Sequence, residues 1–169
     1  RLDMNSTWVL DASPIILLGK AGLLETISPL ADGWIIPEGV IAEVTRKRAL
    51  EPYLVELAKH AQVIRKSVAT VSPAIAAWDL GRGESEVLTV ALTAPDPRTG
   101  VVLDDLQARK CAALYAIPLI GSLGLLILAK QRGVLPNAKP AIDRLIASGL
   151  YIDPVMLHRI LAAIAEDSY

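Results

Sequence analysis

The chain has 169 residues, about one domain's worth at the usual domain size of roughly 100–150 residues, which argues against two independently folding units. With 53% hydrophobic and 21% charged residues it carries enough apolar surface to offset chain entropy, which excludes disorder over most of its length. Seventeen basic against eighteen acidic residues leave a net charge of −1, so no global field draws in a polyanion; with 4% aromatic residues and no Phe, a base-stacking platform is hard to build.

Residues 1–7 read as a cloning remnant or an upstream extension, with no charged, apolar, cleavable leader after Met4, and a single domain is expected over 8–169. Trp8-Val9-Leu10 is an apolar run ending at Asp11, a strand, and Ser13-Pro14 then offers an N-cap followed by Pro at the first helical position. A helical pattern from Gly22 to Leu30 is stopped by Asp32-Gly33; Trp34-Ile35-Ile36 is the next strand, halted by Pro37. Val40, Ile41 and Val44 give one apolar helix face and leave Glu43 on another. A helix over 51–61 carries Leu54, Leu57 and Ala58 at helical spacing, and Val63-Ile64 is a short edge strand.

The Gly81-Arg82-Gly83 turn leads into a helix opened by Glu84, running through Val87, Leu88, Ala91 and Leu92 and ended by Pro95. Val101-Val102-Leu103 is a strand terminated by Asp104-Asp105, followed by a helix with Leu106, Arg109 and Leu114. Nineteen uncharged residues between Lys110 and Lys130 reach the length of a membrane span, but Pro118, Gly121-Ser122 and Gly124 interrupt them. That segment reads as helix, strand over Ile117 to Ile120, and helix from Ser122 to about Gln131. Helices over 137–148, with Gly149 as C-cap, and from Asp153-Pro154 onward complete the chain. Strands alternating with helices predict an α/β fold, three layers α/β/α around a central parallel sheet of four to five strands. An intracellular, cytoplasmic protein without a membrane span follows from this reading.

Lone Cys111 sits in an apolar helical stretch and reads as a small buried hydrophobe, and His60 and His158 lie in no zinc-ligand spacing. Ligands of parallel sheets bind beyond the carboxyl ends of the strands, which draws attention to the acids there. Asp11 ends the first strand, Glu43 lies on the helix after the second, Glu84 opens a helix beside a Gly-x-Gly turn, and Asp104 and Asp105 end the third clear strand. Converging carboxylates repel unless a cation sits among them, and an all-oxygen set suits Mg²⁺ or Mn²⁺. Each acid also has a plainer role: Asp11 as a turn residue, Glu43 on a solvated face, Glu84 and Glu86 complementing a helix dipole, Asp104 as an N-cap paired with Gln107. No P-loop, complete dinucleotide fingerprint or nucleophile elbow is present.

The segments V-L-D-A-S-P-I-I-L-L from Val9, I-P-E-G-V-I-A-E-V ending at Val44, G-E-S-E-V-L-T-V-A-L from Gly83, V-L-D-D-L-Q-A-R from Val102 and G-S-L-G-L-L-I-L-A-K-Q-R-G from Gly121 occur in one order. Together they resemble PIN-domain proteins, specifically a branch long catalogued as a domain of unknown function and related to VapC-type toxins. The resemblance implies a Mg²⁺- or Mn²⁺-dependent ribonuclease, possible membership of a toxin–antitoxin pair, a small antitoxin partner and a homodimer. It implies Asp11, Glu43, Glu84 and Asp104 as the catalytic acids, with Asp11, Glu84, Asp104 and neighbouring Asp105 as metal ligands and Ser13 ordering the site. Leu103 stands where typical toxins carry Thr. Arg46, Lys47, Arg48, Arg82 and Arg109 are the candidate local cations for RNA phosphates, and Arg46 to Arg48 read equally well as a solvated helix end favoured by the dipole. Two rivals keep part of this picture: a non-catalytic PIN-like RNA- or protein-binding module, and a phosphoacceptor domain using Asp11, which lacks a suitably placed Lys after a late strand. Between the adjacent acids, Asp104 is favoured as ligand because it directly follows the strand, and Asp105 falls in the first helical turn.

Overall fold

The central runs become strands because a parallel strand, covered on both faces, can be hydrophobic throughout, whereas the edge strand over Val63–Lys66 is apolar only in its first half. The computed structural model describes residues 6–166. In chain order, β1 (Thr7–Leu10) leads into α1 (Ala12–Lys20), α2 (Leu24–Ile27) and a 3-10 turn at Ser28–Leu30. Then come β2 (Gly33–Pro37), α3 (Glu38–Thr45), a 3-10 turn at Arg48–Leu50, α4 (Glu51–His60), β3 (Val63–Lys66) and the single-turn α5 (Pro73–Ala76). The second half runs α6 (Arg82–Thr93), β4 (Gly100–Val102), α7 (Leu106–Leu114), β5 (Leu119–Ile120), α8 (Ser122–Gln131), α9 (Ala138–Ala147) and α10 (Pro154–Glu166).

All strand pairs are parallel, in the order β3-β2-β1-β4-β5, and helices flank the sheet to give the expected three-layer α/β/α architecture. Central β1 pairs on both sides, Trp8 lying opposite Trp34 and Gly100, and Trp8, Val9 and Leu10 are fully buried. Gly100 is fixed by this packing: a Cβ there would stand 2.5 Å from the Trp8 ring. The chain leaves β1 toward β2 and β3 on one side and returns to β4 and β5 on the other, so the switch point lies between β1 and β4. The carboxyl ends of these two strands deliver Asp11 and the Asp104-Asp105 pair to the same crevice.

Several local expectations shift. Of the extension read over 1–7, residues 1–5 lie outside the described residues, as do 167–169 at the far end; Thr7 opens β1, and the backbone of Asp32 donates to Ser6 O at 3.1 Å. Ser13 is not the cap of α1: Asp11 is, because its N–H still donates to Val102 O in line with the sheet, so the backbone stays extended there and turns helical at Ala12. Gly81 caps α6, which places Arg82 and Gly83 in its first turn instead of a preceding loop. The 22–30 helix is broken near Pro29 into α2 and a 3-10 turn, and Ala58, Leu106 and Leu114 face outward. The 110–130 segment is helix, strand and helix, Cys111 is buried and unbonded, and among the described residues no helix is long and apolar enough to cross a membrane.

Candidate active site

Asp11 is the centre of the crevice. Its residue is 2% exposed, its carboxylate makes no capping bond, and Oδ1 is buried with no hydrogen-bond partner. An acid so placed is costly to ionise, and its pKa is pushed up to about 8, first by burial, then by the nearby charge of Glu84, with Glu43 and Asp104 adding to it; the backbone N–H of Ala12 opposes the rise. Of the acids named beside it from the sequence, Glu43, Glu84 and Asp104 therefore act on it electrostatically. Glu43, on the outward face of α3, is also held above the usual carboxylate range by burial and then by Glu84, with Arg46 pulling the other way.

Glycines make room for this crowding. A Cβ on Gly83 would stand 3.0 Å from Glu43 Oε2 and 3.4 Å from Asp11 Oδ1, so the bare backbone at 83 is the floor between the two acids. A Cβ on Gly81 would stand 2.6 Å from Glu84 Oε2. Between α3 and α6 lies a cleft of about 350 Å³ whose lining includes Glu43, Glu84, Arg46 and Arg82.

Asp104 and Asp105 part company. Asp105 caps α7, its Oδ2 accepting the Ala108 N–H at 2.9 Å, so the cap role weighed for Asp104 with Gln107 belongs one residue later. Asp104 instead reaches across to α8: Oδ1 accepts the Ser122 N–H at 2.8 Å and Oδ2 accepts the Ser122 hydroxyl at 2.5 Å. Ser122 is fully buried, and nothing in the sequence around it announces a contact 18 positions away. Arg109 Nη1 donates to Leu103 O at 2.9 Å, which braces the β4–α7 corner.

Ser13 is exposed and makes no hydrogen bond to an acid among the described residues. Arg48 and Lys47 are exposed beyond α3 and do not line the cleft. Glu86, read from the sequence as a dipole acid, is buried: Oε1 accepts the Gly39 N–H at 3.0 Å and Oε2 accepts Arg82 Nε at 2.7 Å.

Among the described residues no three His, Cys, Asp or Glu side chains already form a ligand cluster, so the acids around Asp11 share a field without a ready-made ligand set. The donor set nonetheless fits a hard divalent ion: every candidate ligand is a carboxylate oxygen, Asp11 Oδ1 is without a partner, and the open floor at Gly83 is space that a methyl group would fill. Even Asp104 keeps acceptor capacity, since each carboxylate oxygen has a second lone pair.

A parallel α/β/α sheet with acids at its switch point defines a class of site at which charged ligands are handled beyond the strand ends. The chain belongs to the PIN-domain family: a family model described as a PIN domain, carried under a domain-of-unknown-function name, matches residues 7–166. That family assignment makes this a nuclease-type fold. A comparison with curated proteins returns no match.

Proposed function

We propose that the protein is a Mg²⁺- or Mn²⁺-dependent endoribonuclease. The observation that carries the proposal is the buried, partnerless Oδ1 of Asp11, ringed by charges from Glu43, Glu84 and Asp104. A cation offsets that repulsion, and no other feature of the crevice explains why so many acids meet an apolar strand end. In this reading Asp11, Glu84 and Asp104 hold the ion and Glu43 acts through water, with Asp105 left to its capping bond. When bound, the ion lowers the pKa of a coordinated water and stabilises charge developing on the phosphate oxygens. Ser122 holds the Asp104 carboxylate in one orientation, Gly83 keeps the floor open, and Arg46 and Arg82 grip the phosphate backbone from the cleft. No side-chain nucleophile is required.

The toxin role, with an antitoxin, a homodimer and action in the cytoplasm, is the finer form of the same proposal. A protein partner within that form is supported by the apolar surface at Tyr151, Val155 and Met156, which is 86%, 60% and 56% exposed. A second reading, a non-catalytic RNA- or protein-binding module, is favoured by one observation: both Asp104 oxygens already accept hydrogen bonds from Ser122. One assay separates the two. Purified protein is incubated with generic single-stranded RNA and Mn²⁺, with and without EDTA, beside Asp11→Asn. Cleavage that stops with EDTA and is lost in the variant is the expected result; binding of intact RNA by wild type under every condition would establish the module instead.

A further inference from the structure

We infer that Glu86 is a positioning residue that holds Arg82 as the phosphate-gripping side chain of the cleft between α3 and α6, an inference that rests on the RNA-cleaving reading above. Glu86 is 4% exposed, whereas the Arg82 side chain it pairs with is 67% exposed. As a stability device this pair is poor, because an exposed guanidinium is well solvated without a partner while the buried carboxylate carries the desolvation cost. As an orienting device it is effective. The bond from Nε to Glu86 Oε2 at 2.7 Å fixes the plane of the guanidinium at its inner edge and leaves both Nη groups, which have no hydrogen-bond partner among the described residues, on a residue that lines the cleft beside Glu43 and Glu84.

The other end of the carboxylate is anchored as firmly. Glu86 Oε1 accepts the Gly39 N–H at the start of α3, and a Cβ at Gly39 would stand 2.5 Å from Oε2, so the carboxylate occupies the room of a missing side chain. A guanidinium edge with two N–H groups matches two oxygens of a phosphodiester. Holding it in advance removes ordering entropy that a free Arg would lose on binding. Such a fixed cation is needed here: the chain has a net charge of −1, and the acids around Asp11 repel a polyanion approaching without one.

The test uses the full chain in an Asp11→Asn background with Mg²⁺, so that binding is read without cleavage, and a fluorescently labelled single-stranded RNA whose anisotropy is followed across a salt series. Arg82→Gln should weaken binding about tenfold and flatten the log K against log salt slope by about 0.7, the contribution of one phosphate contact on a single strand. Glu86→Gln is the decisive variant. Its amide oxygen can still accept the Gly39 N–H, but its amide nitrogen cannot accept from Arg82, so the anchor on α3 survives and the hold on Arg82 is lost. Positioning predicts about threefold weaker binding in Glu86→Gln, although removal of a negative charge should by itself tighten binding to a polyanion. Equal or tighter binding by Glu86→Gln, or an unchanged salt slope in Arg82→Gln, overturns this inference while leaving the nuclease reading intact. RNA that the background protein does not bind and that the wild type with Mn²⁺ neither binds nor cleaves overturns the nuclease reading, and this inference with it.

Discussion

Replacing Asp11 by Asn should raise the stability of the metal-free protein relative to the wild type progressively as pH rises. The folded-state pKa of Asp11 is raised from 3.8 to about 8, so between those values the folded protein keeps a proton that the unfolded chain has lost. In that window each pH unit removes about 1.36 kcal/mol of stability from the wild type, all of it present below pH 3.8 and all of it lost above about pH 8. From pH 4 to pH 7 the loss is on the order of 4 kcal/mol, a large share of the ~5–15 kcal/mol that holds a domain together. Asn resembles the protonated acid in size and neutrality and carries no such slope. Its extra N–H donor in a buried place adds a constant cost, which displaces the curve without tilting it. Urea unfolding midpoints of both proteins in EDTA, at half-unit steps from pH 4.5 to 8, should diverge steadily. Parallel curves would mean that Asp11 ionises normally in the folded protein, and the argument that a cation is needed in the crevice would lose its basis.

Gly83→Ala should separate stability from activity: the added methyl favours the helix by about 0.5–1 kcal/mol, while Glu43, which can swing outward, is displaced from 3.0 Å away, so melting temperature holds or rises as Mn²⁺-dependent cleavage falls. A fully active variant would show that the floor between Glu43 and Asp11 is not used. Asp105→Ala should cost about 1 kcal/mol in thermal unfolding through the lost cap and leave the Mn²⁺-induced rise in melting temperature in place; loss of that rise would make Asp105 the ligand. Ser122→Ala removes a charge-assisted bond to a buried hydroxyl and should destabilise by about 1.5–3 kcal/mol, with weaker Mn²⁺ binding by calorimetry as Asp104 loses its fixed orientation; unchanged affinity would remove Ser122 from the site.

What the sequence discloses about this fold is largely what one-dimensional pattern can encode. Trp8 to Leu10, Trp34 to Ile36 and Val101-Val102 are uninterrupted apolar runs closed by Asp or Pro, and the acid after such a run in a parallel sheet must emerge at the carboxyl edge, which is why Asp11 and Asp104 are found from the letters alone. Phase errors of one or two residues arise where a tertiary bond sets the boundary: Asp11 takes the cap from Ser13 because Val102 O still holds its N–H. The partners of Asp104 and Glu86 lie 18 and 47 positions away, and no local spacing encodes a hydrogen bond to Ser122 or to Gly39. Periodicity also identifies an apolar stripe without saying whether it is covered: Leu106 and Leu114 fall on the expected helix and are 63% and 66% exposed.

The outer strands of the sheet bear on how the protein behaves at high concentration. A free strand edge offers unpaired N–H and C=O groups to any other chain, and long flat apolar edges recruit copies of themselves into aggregates. Here β5 is only two residues long and is preceded by Pro118, which has no N–H to offer, while β3 ends in the exposed cations Arg65 and Lys66. A second β3 approaching edge to edge would set those like charges against one another. The same residues that leave the sheet five strands wide therefore stop it from growing a sixth, and a chain that is 53% hydrophobic gains solubility from the two places where its sheet could otherwise be extended.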